Sequence, residues 1–351
     1  MKVTKRTLAS IDRVYSIAPV WAQQVKGWPA FLAGSEGDGP LLYFAPPDYK
    51  PVEIADSPGG FISLWAFQQD GANYVVASTD FKPGFKAENC RIIVYPLDES
   101  RKNAGFEVGL LPFTHRVAVL QLDGRNFFLG STLCSAKAFK QDWTQPGGIH
   151  LAAIPRQLTS NWQFRQIVGG LNKNHGMDFA RLGDTDRGGY LLSAMEGLFY
   201  MKIPADPNDD WQLETIAQGE HSDGFAYDWD GSGVPQVFAI SPFHGNKVTV
   251  YRRGQAGWSG QLITDDIQMG HVLWAGELLG RPALLVGGRQ GRKELRLYRK
   301  GGADGKQLSY EIIDEGIAPT QIAVVDQGRD AAGLIVSAHG VNEVRIYDLT
   351  Q

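Results

Sequence analysis

"GHVLWAGELLGRPALLVGGRQGRKELRLYR", residues 270–299, packs three short strand signals into one stretch. A histidine opens an apolar segment that ends in the "LLG" turn. An unbroken apolar word, "ALLVGG" (283–288), follows and closes on small residues. After a loop comes "ELRLYRK", whose period-two alternation marks a half-buried strand. The middle word recurs along the chain as "PAFLAGS" (29–35), "YVVAS" (74–78), "FFLGS" (127–131), "YLLSA" (190–194), "VFAIS" (237–241) and "GLIVSA" (333–338). Anchored on Ser35, Ser78, Ser131, Ser193, Ser241, Gly288 and Ser337, the steps are 43, 53, 62, 48, 47 and 49 residues. That is the period of a propeller blade, and seven copies make a closed ring.

Each copy offers strands A to D, from the axis to the rim. Tryptophan opens the fourth strand in three of them, at Trp162, Trp211 and Trp258. The last copy, "VRIYDLTQ", ends on a strand C, while "KVTKRTLASI" at the N-terminus is spare. Pairing the two would remove two exposed sheet edges. The expectation is therefore all-β: a seven-bladed β-propeller with four antiparallel strands per blade, its last blade closed by the N-terminal strand. Residues 1–351 then form a single domain, against a length prior of roughly two.

Composition agrees. Forty-two glycines and nine tryptophans suit tight turns and pleated surfaces. A net charge of −4 offers no basic surface for nucleic acid or an anionic membrane. No run approaches eighteen apolar residues, and Asp12 and Arg13 interrupt the stretch a signal peptide would need. Two cysteines, Cys90 and Cys134, are no disulfide scaffold. A cytoplasmic setting is the expectation.

The histidines carry the functional signal. His115, His175, His221 and His271 stand at the entry to strand A in blades three to six, where Pro19, Gly60 and Pro319 fill the same slot in blades one, two and seven. His244 and His339 lie in B–C loops, and His150 begins strand C of blade three. All seven thus map to one face. One reading is structural, since a "GH" before strand A belongs to WD-type repeats and bonds within its own blade. The other is a divalent transition metal (Mn, Zn, Ni or Fe) held where inner strands converge, with His175, His221 and His271 as ligands. His115 is then a fourth ligand or a nearby base.

Further candidates share that face. The long B–C loops "TDFKPGFKAEN" (79–89) and "TLCSAKAFKQDWTQPGG" (132–148) bring aromatics and lysines, among them Trp143 and Lys137. With Phe243 and with Glu196, which occupies the B–C slot of blade four, they form a candidate substrate-binding set. Arg289 sits in the B–C slot of blade six, where a guanidinium suits a carboxylate or an enolate. "DWDGSGVPQ" (228–236) alternates oxygen ligands as a calcium loop does but lacks the terminal acid; an Asp-Gly turn accounts for it equally. No GxSxG, phosphate loop or strand–GxGxxG–helix unit is present, and "GGADGKQ" (301–307) lacks the spacing.

"DWDGSGVPQVFAISPFHGNKVTVYRR" (228–253) resembles an FG-GAP-type (VCBS-like) blade, and the 270–299 stretch resembles blades in the propeller part of aldos-2-ulose dehydratase/isomerase. The resemblance implies a metal-dependent lyase or isomerase acting on a keto-sugar or related small carbohydrate. It would work by α-proton abstraction and β-elimination at the mouth of the central channel. In such a reaction His115, His244 or His339 would serve as base or acid and Arg289 would steady the enolate. Two rivals stand beside it: a non-catalytic propeller that binds a carbohydrate or a protein, and a polysaccharide lyase on uronate-containing glycans.

Overall fold

A computed structural model of the chain describes residues 1–98, 102–183, 187–301 and 307–351. The Gly-rich stretch 301–307 lies mostly outside them. The described strands form seven four-stranded antiparallel sheets, six of them in sequence order. Strand A opens the blades at Val14, Ser63, Thr114, Gly176, Asp223, Gly270 and Pro319. The seventh sheet is completed from the other end of the chain: the N-terminal strand Lys2–Ser10 pairs with Glu343–Thr350, in register from Lys2↔Thr350 to Ser10↔Glu343. No helix among the described residues is long and apolar enough to cross a membrane.

The repeated word is strand B. It is buried on both faces because it lies in the middle of its sheet with a neighbouring blade above and below, as Ala283–Gly288 shows. Between consecutive blades lies a hydrophobic cluster of its own; Leu129, Ile149, Leu192 and Met201 join blades three and four, and Leu285, Leu297, Leu334 and Val336 join six and seven. Seven such seams close the ring.

Two of the serines that end strand B, Ser78 and Ser131, are latches to the next blade. The Ser78 hydroxyl donates to the Thr114 carbonyl at 2.8 Å, and Ser131 to Asn174 at 2.9 Å, each reaching into the next blade. Ser16 on strand A does the same to Phe61 at 2.7 Å. A small residue is required there because a hydroxyl on one carbon spans the gap and a larger side chain would not fit.

Closure adds polar bonds at the rim. Asp314 accepts from Lys5 (3.1 Å), Arg345 (2.9 Å) and the Tyr347 hydroxyl (2.8 Å), so strand D of blade six, the last strand C and the N-terminal strand meet on one carboxylate. Deleting residues 1–10 should leave Glu343–Thr350 as an open edge. The melting temperature is expected to drop by roughly 5–10 °C, with soluble oligomers appearing on size exclusion. A truncated chain that melts as the full chain does and stays monodisperse would contradict the closure.

Candidate metal centre at the hub

Six of the seven A strands are entered the same way. A residue with positive φ (Arg13, Gly60, Phe113, Lys173, Met269 or Ala318) stands two places before the residue that faces the axis. Those facing residues are Tyr15, Ile62, His115, His175, His271 and Thr320. In four of the blades the facing residue sits at a register shift that unpairs it from strand B and turns it inward. Blade five differs by one residue: its left-handed position is Gly219, three places before Ser222. Ser222 N bonds Ile240 O as His175 N bonds Ser193 O, so Ser222, not His221, holds the inward slot.

That extra residue corrects the expectation for His221. A one-residue slip sends a strand side chain the other way. The His221 ring points away, donating from Nδ1 to Gly219 O at 2.8 Å and accepting at Nε2 from the Tyr251 hydroxyl at 2.9 Å. The place expected for it is filled by His244. Its left-handed backbone (φ 49°), inside the Pro242–Gly245 turn, aims the ring into the hub. Ligand nitrogens of His175, His244 and His271 all lie within 4.8 Å of one another. His115 packs against His175 with ring centroids 4.1 Å apart and planes tilted by 32°.

The hydrogen bonds decide where the lone pairs point. His115 Nδ1 lies 3.2 Å from His175 O, His175 Nδ1 3.0 Å from Ser222 O, and His271 Nδ1 2.9 Å from Thr320 O. A carbonyl only accepts, so each Nδ1 carries the proton and each neutral ring offers a bare Nε2. Two hydrogens face these three lone pairs. The Tyr15 hydroxyl lies 2.9 Å from His271 Nε2 and 3.3 Å from His115 Nε2, and His244 Nε2 lies 3.2 Å from His175 Nε2. One lone pair is left over. A divalent cation in place of the His244 proton satisfies the set, and backbone-anchored Nδ1–H groups are the usual outer support of metal-bound imidazoles.

Burial keeps the rings in the ligating state. His115 and His271 are held well below the ordinary histidine range, first by desolvation and then by electrostatic interaction with neighbours, His175 foremost for His115 and Arg289 for His271. His244 is pushed down to about 2 by burial, with His175 and Arg289 adding to it. Tyr15 moves the other way: desolvation raises its phenol while Arg116 and Arg289 oppose the rise.

The remaining expected residues fall into three groups. Arg289 lies with its guanidinium 5.8 Å from the Tyr15 ring centre and Nη2 3.2 Å from His339 Nε2, and that ring nitrogen is 3.3 Å from Glu36. Phe243, Trp143 and Lys137 form a roof with Phe85: Phe243 stacks on His244 at 4.1 Å, Trp143 meets Phe85 at 5.5 Å, and Lys137 Nζ sits 3.1 Å over the Trp143 ring. Glu196 is elsewhere. Exposed, it accepts from the backbone and side-chain nitrogens of Asn172 at 2.9 and 3.1 Å and pins that turn instead of facing a ligand.

His150 is not at the start of strand C but within it, paired with Gly130 and away from the hub. The "DWDGSGVPQ" turn is self-contained: Asp228 accepts from Ser232 N and Gly233 N, and Asp230 from Gln236. Cys90 and Cys134 are buried free thiols. Tyr15, Glu36 and Thr320 went unnoticed in the sequence. Tyr15 was hidden because strand A of blade one begins at Val14, earlier than Pro19 implied. The recurring step of about one blade from Tyr15 to Ile62 and from His271 to Thr320 points to Tyr15 and Thr320, though not to Glu36.

No family model matches the chain, and no curated protein does. The fold expected from the FG-GAP-like segments is present, while membership of that family finds no model to support it. A solved structure described as "YCF48 bound to D1 peptide" is similar over 99% of this chain and 95% of its own, with a TM-score of 0.57 and 12% identity. At that identity the likeness is one of fold.

Stability should respond to pH in a defined direction. The three depressed hub imidazoles bind protons in the unfolded chain near pH 6.5 but not in the fold, so acid favours unfolding. Each contributes up to ~1.4 kcal/mol per pH unit below about 6.5. Asp178, raised to about 7 by burial, opposes them. It keeps a proton in the fold that the unfolded chain releases near pH 3.9, a stabilisation lost as pH rises through 7. Three groups outweigh one, so the urea midpoint of chelator-treated protein is expected to be lower at pH 5.5 than at pH 7.0. An equal or higher midpoint at pH 5.5 would contradict this electrostatic description.

Proposed function

We propose that the hub holds one divalent transition ion through Nε2 of His175, His244 and His271, and that the chain is a metal-dependent lyase or isomerase acting on a small keto-sugar or related hydroxycarbonyl. The observation that carries the reading is the surplus of converging imidazole lone pairs, those of His115, His175 and His271 each oriented by a backbone carbonyl behind the ring. A bound ion would supply Lewis acidity, polarising a substrate carbonyl.

The protein's own groups account for the rest. Carbonyl anchors at His175, Ser222 and Thr320 hold three rings in one tautomer. The Tyr15 proton lies between two acceptors; once the His271 lone pair is engaged, it can only go to His115 Nε2. Tyr15 and His115 are therefore the couple positioned to take a proton from a substrate carbon and return it to a departing hydroxyl. Arg289, set against His339, supplies a fixed positive charge beside that phenol and favours its anion. The Phe85, Trp143 and Phe243 roof excludes water. It also covers the hub, which argues for a small substrate over a polymeric uronate chain.

A second reading has its own support. Every hub imidazole already has an internal hydrogen-bond partner, as a rigid plug in a binding propeller would, and the structurally similar protein was solved with a peptide bound. Metal analysis separates the two. As-isolated or reloaded protein should carry about one Mn, Zn, Ni or Fe per chain by mass spectrometry. His244→Asn, whose side chain tolerates the left-handed backbone, should weaken retention by about 10- to 100-fold, a scale typical of losing a metal-site residue. His221→Ala should leave metal content unchanged. Full-length, folded protein that takes up no ion from a panel of these metals would overturn the metalloenzyme and leave the binding propeller.

A further inference from the structure

Below the hub, the axis opens into a cavity of about 330 Å³ lined by A strands of all seven blades. His271 and Thr320 lie at its inner end. Trp21, Trp65 and Trp274 line it further along their strands, where Trp21 and Trp65 are 49% and 38% exposed, so this end meets solvent on the face away from the roof. None of these residues belongs to the ligand trio except His271, whose Nε2 is turned to Tyr15.

The wall carries an uneven charge. Arg116 lies 3.5 Å from Asp223, a single long contact between nearly buried side chains. The other Asp223 oxygen, Oδ2, is buried and accepts no hydrogen bond. His175 Nδ1 passes it at 3.3 Å with its proton committed to Ser222 O. Asp178 also lines the cavity and has no salt-bridge partner among the described residues. One guanidinium thus faces two carboxylates, a net charge of −1 when both are ionised. Desolvation holds the Asp178 carboxyl up to about 7, with Arg116 opposing and Asp223 assisting. A site with two acceptor carboxylates against one guanidinium, and with indoles along its wall, has the makings of a cation cage.

We propose that this cavity binds a small organic ammonium ion: the charged nitrogen donates to Asp178 and Asp223, and its alkyl chain lies among Trp21, Trp65 and Trp274. An anion would meet two carboxylates. A neutral polyol would leave the charge uncompensated. The site depends on neither the hub metal nor the reaction proposed there.

Calorimetry and tryptophan fluorescence on the full chain test it, with n-butylammonium as probe and n-butanol and glucose as neutral comparisons. Butylammonium is expected to bind one to one, at least about tenfold more tightly than either neutral molecule, the scale of one charge-assisted hydrogen bond. Asp178→Asn, the same shape without the charge, should cost about tenfold. Trp65→Ala, at an exposed position that the fold does not need, should weaken binding severalfold, while His244→Asn should not change it. Neutral molecules binding as tightly as the amine, no saturable binding of the amine, or an unaltered affinity in Asp178→Asn would overturn the proposal.

Discussion

One kind of hydrogen bond organises the centre of this molecule: a donor on the axis-facing residue of one blade reaches the carbonyl of the axis-facing residue of the next. His115 reaches His175, His175 reaches Ser222, His271 reaches Thr320, and the Thr320 hydroxyl reaches Tyr15 at 2.8 Å. These bonds satisfy carbonyls at the buried strand-A entries, two of which, at Tyr15 and Thr320, a register shift has withdrawn from the sheet. They also fix which ring nitrogen is bare. Fold closure and site chemistry therefore rest on the same atoms.

The consequence is a centre that is polar yet uncharged. Three imidazoles within a few ångströms could not all protonate, since each added charge would be buried beside the others and beside Arg289. The protein resolves this by excluding water with Phe81, Phe85, Phe113 and Trp143, which depresses the imidazoles and leaves their lone pairs available. A hub packed with leucine would be stabler by ordinary packing. Retaining nitrogen there, oriented and neutral, is the arrangement of a ligand set, and the opposite end of the axis, with its unpaired carboxylate and tryptophan rim, is built for a different guest.

Much of this architecture was legible in the sequence because its determinants are local and repeated. A buried middle strand must be apolar throughout and must end small for its latch, so Ser78 and Ser131 announce their blades. The spare N-terminal strand and the short last blade imply each other. His115, His175 and His271 were readable as axis-facing because their blades share one entry. His221 was not, because the register depends on a single additional residue between Gly219 and Ser222, invisible to a comparison that aligns histidines. His244 reaches the hub only through a left-handed turn, and Glu36 only through the ring's curvature; neither has a local signature.

The ligand set depends on the tautomers of the hub imidazoles. Long-range nitrogen–proton NMR on ¹⁵N-labelled, metal-free protein near pH 7.5 reads them directly. His115, His175 and His271 should each show a protonated Nδ1 and a bare Nε2, with His244 protonated at Nε2, and addition of one metal equivalent should shift the Nε2 resonances of His175, His244 and His271 together. Protons found on Nε2 of His175 and His271 would mean that their lone pairs point outward to the backbone, and the hub would be a plug without a ligand set.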